Sequence, residues 1–394
     1  MPTPEIVIVA AARTPQGRLQ GNLSSIPAPD LGGAAIAGAL ASAGVSAGAV
    51  DAVVMGQVLP AGNGQNPARQ AALAGGVGWN VPASGVNKVC LSGLTAIIDG
   101  IRMIRTGDAE VVVAGGMESM SRAPHLLPAS RSGWSYGSIE VLDHAAFDGL
   151  TDAHDRESMG ASTERLNARF SVTREEQDAV AARSHQRAAA ASSAGRFAAE
   201  IVSVPVPQRR GEPVVVDADE GIRPDSTVAT LAGLRPAFTP GGAITAGNAS
   251  PISDGAAAVI LTTRERAESE GWAVLAAVGA NGQVAGPDNS LHEQPAAAIE
   301  RAVAKQGISV DELDLIEINE AFGSVVAASE RRLGVSPEIV NVDGGGIALG
   351  HPIGASGARL VVHLAHELAR RGSGIAVAAL CGGGGQGEAL ILTR

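Results

Sequence analysis

Two stretches of this chain spell the same order of elements, and that repetition constrains the fold more than any single motif. Short apolar or β-branched runs read as strands, and longer runs of 3.6-residue period read as helices. The first stretch has a strand over residues 5–11, a helix from Asp30, a strand at 51–56, a helix after Pro67, a strand at 84–89, a helix over 91–106 and a strand at 110–116. Its last strand, 256–263, comes much later. The second stretch runs without a gap: strand 273–279, helix 295–305, strand 313–319, a helix from residue 321, strand 338–342, helix 354–371, and strands 374–380 and 388–393. Each is βαβαβαββ. Finer landmarks coincide, since Ser92-Gly93 answers to Ser356-Gly357 and Gly107 to Gly372. A duplicated unit of this kind predicts an α/β protein of two mixed sheets with helices on both faces.

The segment between the two copies belongs to neither. The expected division is an N-terminal half at 1–117, completed by 251–271, an inserted unit at 118–250, and a C-terminal half at 272–394. The insertion carries helical runs, one opened by Thr173 and Glu176 as a capping box, and Pro/Gly-punctuated loops. A long insertion beside a doubled core predicts a lid or a substrate-holding region.

Charge and composition exclude several partners. A formal net charge of −11 gives no basic footprint for nucleic acid or an anionic membrane. Residues 31–50 are uncharged and long enough to raise a membrane question, but Ala, Gly and Ser dominate, so a buried helix N-capped by Asp30 is expected instead. No basic region precedes the apolar run near residue 5, so a secretory signal is not expected. Cys90 and Cys381 are the only cysteines and stand far apart, which predicts reduced thiols and a cytoplasmic protein rather than a disulfide framework.

Four places could carry chemistry. Cys90 follows the strand 84–89 and opens the helix 91–106, where the positive end of the helix dipole would lower a thiol pKa. The alternative is a buried cysteine packing as a small hydrophobe. The matching point of the second copy is "GGGIALGHPIGASGAR" (344–359), with His351 at a strand end ahead of a helix; it reads as a general base or as a structural histidine. Cys381 is followed by four glycines. Gly382, Gly384 and Gly387 fit G-x-G-x-x-G, but too few residues follow for the helix and ribose-binding acid of a dinucleotide site, so the run instead offers bare N–H groups to a reacting carbonyl. Asn319, in "EINEAFGSV", reads as an oxyanion or water ligand, or as the N-cap of the next helix. His363 and His366 match no zinc spacing and read as helix-face residues.

Together these pieces resemble the thiolase family. The resemblance is carried by "VNKVCLSGLTAI" around Cys90, "AGGMESMSRAPHLLP" (114–128), "RPAFTPGGAITAGNASPISDGAAA" (235–258), "INEAF" (318–322), "NVDGGGIALGHPIGASGAR" (341–359) and "ALCGGGGQG" (379–387), in family order over nearly the whole chain. It implies the thiolase fold, two βαβαβαββ halves packed as α-β-α-β-α layers with an inserted CoA-binding loop domain. It also implies reversible Claisen condensation of two acetyl-CoA to acetoacetyl-CoA and CoA, with ping-pong kinetics and no metal or redox cofactor. In the implied roles Cys90 is the acylated nucleophile, His351 its base, and Cys381 the second acid/base. Asn319, through a water, and His351 form one oxyanion hole, while the N–H groups of Cys90 and Gly383 form the other. Ser250 resembles the serine bonding pantetheine, Arg223 the arginine near the adenine, and Met159 the methionine lining the acyl pocket. The family further implies a homodimer or homotetramer.

Three departures bear on substrate: Ser158 stands where short-chain members carry His, Asp343 replaces an Asn, and "NSLHEQPAA" (289–297) replaces a glycine-proline segment. The other readings are a thiolase for longer 3-ketoacyl chains, a decarboxylating ketoacyl synthase, which places His where Cys381 stands, a non-catalytic acyl-CoA-binding protein, and a papain-like Cys-His-Asn hydrolase. The last leaves Cys381 and the duplication unexplained.

Overall fold

A computed structural model describes residues 4–394. The first copy is built from β1 (Ile6–Arg13), α1 (Ala28–Ser42), β2 (Ala52–Gly56), α2 (Pro67–Ala74), β3 (Ala83–Val86), α3 (Ser92–Thr106), β4 (Val112–Ser119) and β5 (Ser253–Thr263). The insertion contributes α4 (Met159–Leu166) and α5 (Arg174–Ser193). The second copy supplies β6 (Ala276–Ala285), α6 (Gln294–Gln306), β7 (Leu315–Ile318), α7 (Gly323–Leu333), α8 (Ser356–Arg371), β8 (Ile375–Gly382) and β9 (Gln386–Thr393).

The strand order is β7-β8-β9-β6-β1-β5-β4-β2-β3. The sheets of the two copies are joined where β1 meets β6 through Val7 opposite Ala277 and Ile8 opposite Ala276, making one continuous sheet where two were expected. Pairing is parallel between β2 and its neighbours β3 and β4, and between β7 and β8, and antiparallel elsewhere.

Alternation along the strands shows why both faces are covered. Val112, Val259, Ala378 and Leu390 point into a central cluster with Ile97 and Ile101 of α3 and Leu360 and Leu364 of α8. Their neighbours Val113 and Ile260 point the other way, against Ile36 of α1, while Val377 and Ile391 pack on Ile299 of α6 and Val326 of α7. With a period of two, such near-continuous apolar strands bury both faces. The layers are α1/α2, the N-terminal half of the sheet, α3/α8, the C-terminal half of the sheet and α6/α7, as the thiolase resemblance implies.

The repeated Ser-Gly landmarks mark the crossing of the central helices. A Cβ on Gly93 would lie 2.9 Å from Ala358 N, and one on Gly357 would lie 2.6 Å from Leu94 N. Only glycine permits this approach, and it brings the N-termini of α3 and α8 side by side.

Two further expectations change. Residues 338–342 are not a strand: Pro337–Ile339 form a 3-10 turn, and only Val340 bridges to Ile316. Asn341, at φ 47°, turns the chain, and its side-chain amide takes over the ladder, accepting from Ile318 N at 2.8 Å and donating to Ile318 O at 2.9 Å. Asp30 does not cap α1. That helix starts after Pro27 with Pro29 in its first turn, where a missing N–H costs nothing, and Asp30 lies inside the same turn. The capping box at Thr173 and Glu176 is present on α5. Among the described residues no helix is long and apolar enough to cross a membrane.

His363 is more than a helix-face residue. It is buried on α8, its Nδ1 3.0 Å from Glu200 Oε2, with Asp343 at 3.7 Å and Glu317 at 4.0 Å. Burial pushes its imidazole down, but Glu200, with help from Glu317 and against Arg359, lifts it to about 9 from the ordinary 6.5. Asp343, one of the departures from the family pattern, also pairs with Arg196 at 2.5 Å. Because the folded-state pKa is raised, the stability that His363 contributes is complete below about pH 6.5 and is lost as pH rises through 9. Urea unfolding of the wild type and His363→Gln is expected to show a large gap at pH 6 that closes by pH 10; a gap that holds over this range contradicts the assignment.

Candidate active site

Cys90 stands on a tight turn between β3 and α3. Leu91 N donates to Lys88 O at 3.1 Å and Ser92 N to Val89 O at 3.0 Å. Val89 sits at φ 51°, a left-handed conformation that a β-branched residue rarely takes. Such strain is found where a neighbouring group must be aimed. Nothing in the residues around Val89 signals it.

The glycines after Cys381 form the turn between β8 and β9, with Gly384 at φ 78° and Gly385 at φ 66°. A Cβ on Gly385 would lie 1.9 Å from Asp288 O, so that position tolerates no side chain. Gly383 directs its backbone N–H at the Cys90 sulfur, as does the N–H of Cys90 itself. The four glycines therefore serve a hairpin turn and one aimed donor.

Cys90, His351, Cys381 and Gly383 line one cavity of about 320 Å³, together with Ser250 and Met159. Its walls are apolar. Met120 and Ile353 line it on the Cys90 side, backed by Val58, Leu59 and Ala145, and Leu291, Ala321 and Phe322 line it on the Cys381 side, backed by Ile244 and Val325. Phe238 is a wall residue that sequence reasoning did not single out; its ring packs edge-on against Phe322 with centroids 6.2 Å apart. It also crosses Gly160, where a Cβ would lie 2.2 Å from its ring.

The thiols are not activated at rest. Burial pushes Cys90 up to about 12, with Glu118 adding to the effect, and this outweighs the N–H groups of Gly383 and Cys90 that favour thiolate. The lowering expected from the helix N-terminus is thus overturned by desolvation. Cys381, 1% exposed, is also raised, by burial and then by Cys90. Burial, followed by the charge of Arg359, holds His351 down at about 4, so its ring is uncharged near neutrality.

Its tautomer follows from the hydrogen bonds. Ser356 Oγ donates to Pro352 O at 2.9 Å, so it can only accept from His351 Nδ1, 2.5 Å away. The proton is on Nδ1, and Nε2 keeps its lone pair. Ser356, half of the duplicated Ser-Gly landmark, thus orients the His351 ring. His351 N donates to Ser253 Oγ at 3.1 Å, which fixes the backbone as well.

Asn319 lies under His351, fully buried, its Nδ2 3.4 Å from each ring nitrogen, and does not line the cavity. The helix α7 begins at Gly323 with Phe322 as N-cap, so Asn319 is not a cap. Ser250 donates its hydroxyl to Ala321 O at 3.0 Å, leaving its oxygen free to accept. Met159 opens α4, and Ser158, the departure from the family pattern, is that helix's N-cap, accepting from Ala161 N at 3.3 Å. Arg223 is exposed and stands apart from the cavity, its backbone N–H donating to His185 Nδ1 at 3.2 Å.

Two thiols, an uncharged imidazole and bare N–H donors around one apolar cavity are the equipment of cysteine-based acyl transfer. They stand where two copies of one α/β unit meet. The thiolase N-terminal domain matches residues 6–265 and the thiolase C-terminal domain matches residues 272–394; the chain belongs to the thiolase family. It is 58% identical to the probable acetyl-CoA acetyltransferase of Mycobacterium tuberculosis over 98% of each chain. It is 50% identical to the acetyl-CoA acetyltransferase of Pseudomonas aeruginosa over 99% of each, and 48% identical to that of Rhizobium meliloti over the full length of both.

Proposed function

We propose that this thiolase is an acetyl-CoA C-acetyltransferase that condenses two acetyl-CoA into acetoacetyl-CoA and CoA, and runs the reverse thiolysis. The observation that carries this reading is the meeting of Cys90, His351, Cys381 and Gly383 on one small apolar cavity. The names of the full-length relatives support the substrate.

In the first half-reaction the Cys90 proton passes to His351 Nε2 as Sγ attacks the acetyl carbonyl. The high thiol pKa and low imidazole pKa make a resting ion pair unfavourable, so charge develops only as the carbonyl oxygen becomes an oxyanion. The N–H groups of Cys90 and Gly383 meet that oxygen; one such donor is worth about 2.7–4 kcal/mol in the transition state. The C–S bond to CoA breaks, the departing CoA thiolate takes the proton from His351 Nε2, and an acetyl thioester remains on Cys90. In the second half-reaction the Cys381 proton passes to His351 Nε2 as its sulfur takes a proton from the methyl of another acetyl-CoA. The enolate oxygen is held by the Nε2–H of the protonated His351 and, through a water, by Asn319. Its carbon attacks the acyl group, the C–S bond to Cys90 breaks, and the Cys90 sulfur takes the proton back from His351. No electron leaves the reactants, so the scheme calls on neither metal nor redox cofactor.

The insertion, 118–250, is the CoA-binding unit in this reading, set between the halves 1–117 with 251–271 and 272–394. Ser250 accepts from pantetheine, Met159 bounds the acyl group, and exposed Arg223 faces the nucleotide end. Two unpaired thiols suit a reducing cytoplasm. A homodimer or homotetramer would bury the exposed Trp134, Tyr136, Ile139 and Val141.

Thiolysis of 3-ketoacyl-CoAs of graded length tests the substrate. Acetoacetyl-CoA is expected to give the highest kcat/KM, with a fall at each longer chain. A profile rising toward longer chains would make the protein a longer-chain thiolase.

A further inference from the structure

The cavity wall beside Cys90 is held by a carboxylate that no step above uses. Glu118, on β4, is 0% exposed, and its two oxygens take three backbone N–H groups: Val58 at 2.9 Å and Gly354 at 3.0 Å on Oε2, and Leu59 at 3.1 Å on Oε1. These donors come from both copies of the duplicated unit, the loop after β2 and the loop between His351 and α8. Val58, Leu59 and Ile353, which precedes Gly354, belong to the apolar cluster on which Cys90 packs; Ile353 lines the cavity, and Val58 and Leu59 back it. The wall is tight: a Cβ on Gly149 would lie 3.1 Å from Ile353 Cδ1 and 3.3 Å from a Leu59 methyl.

We propose that Glu118 is a positioning residue that clamps the 58–59 and 353–354 loops into one wall, and so confines the acyl group on Cys90 to a short chain. This inference rests on the acyl-transfer reading above. Three N–H groups converging on one carboxylate require acceptors only. An amide in its place would turn an NH2 group toward at least one N–H and release that loop. Aspartate keeps both oxygens but falls one methylene short.

The same carboxylate opposes thiolate formation at Cys90. Burial holds the Glu118 carboxyl up at about 7, the three N–H groups pulling it down and Asp254 of β5 pushing it up. Asp254 and Cys90 are the titratable groups that face it. Above pH 7 Glu118 is therefore the charged neighbour of the nucleophile.

The test uses Glu118→Gln and Glu118→Asp in the full-length protein, each checked for wild-type circular dichroism. In Glu118→Gln, iodoacetamide labelling of Cys90 at pH 9, followed by peptide mass mapping, is expected to run faster than in the wild type, because a charge that disfavours thiolate is gone. In both variants kcat/KM for acetoacetyl-CoA is expected to fall by about 100-fold, the effect of an ångström-scale misplacement, while the preference for it over longer 3-ketoacyl-CoAs shrinks. Glu118→Asp keeps the charge, so its labelling is expected to stay at the wild-type rate; if Glu118→Gln does not fold, Glu118→Asp carries the test through its chain-length preference. Unchanged selectivity in a folded variant, whatever its stability, overturns the positioning role. The labelling readout needs no substrate, so it can succeed or fail independently of whether acetoacetyl-CoA is turned over.

Discussion

Cys381→Ala is expected to accept an acetyl group on Cys90 at close to the wild-type rate and yet lose the carbon–carbon step by about 10³-fold or more, the scale of a removed general acid/base. The two thiols share a cavity but meet different surroundings. Cys90 has Gly383 N–H aimed at its sulfur, whereas Cys381 sits 1% exposed among Leu291, Phe322 and Val325 with only its own N–H for support. The first arrangement suits a group that bears an acyl oxyanion; the second suits a base that acts only on a carbon acid pressed against it. Rapid-quench measurement of acyl-enzyme, alongside steady-state condensation, separates the two steps. Equal loss of both in Cys381→Ala would contradict the assigned division of labour.

The largest expected effect on stability lies away from the cavity, at Arg13. Its guanidinium is 0% exposed and binds Glu200 Oε1 through Nε at 2.7 Å and both oxygens of Asp219, at 2.7 and 2.8 Å. Arg13 is on β1, while both acids lie in the long segment between β4 and β5, so this fork fastens that segment to the sheet. Burial opposes the charge on Arg13, but Asp219 and Glu200 overcome it and raise its pKa. Glu200 is likewise held well below the usual carboxylate range, burial notwithstanding, by Arg13 and His363. Arg13→Met leaves two enclosed carboxylates without their cation and is expected to cost about 3–5 kcal/mol. Arg13→Lys recovers only part, because one ammonium cannot reproduce a three-bond planar fork. Urea unfolding at pH 7 checks this; a loss below about 1 kcal/mol for Arg13→Met would mean that water or repacking compensates the acids.

Much of this arrangement was legible in the residues. The order βαβαβαββ and the Ser-Gly landmarks are local signals, one set by periodicity and the other by the need for a bare backbone where α3 crosses α8. Cys90, His351 and Cys381 were legible because each stands at an element boundary that the duplication repeats. What escaped depends on contacts between distant residues. Residues 338–342 have the composition of a strand, but the Asn341 amide bonds to Ile318 in place of the ladder. The helix N-terminus argued for an acidic Cys90 thiol, and enclosure by Val58, Leu59 and Ile353 reverses it. Ser356 was visible as a landmark, but not as the acceptor that fixes the His351 tautomer. Glu118 was visible as one letter of "GGMESMS"; its three N–H partners come from loops far along the chain.

Incubation of the protein with acetyl-CoA, followed by intact-mass and peptide mapping, tests the central claim most directly. A single acetyl thioester on the peptide containing Cys90, removed by added CoA, is the predicted result. An unmodified Cys90, or an acetyl group carried on Cys381 instead, would contradict it.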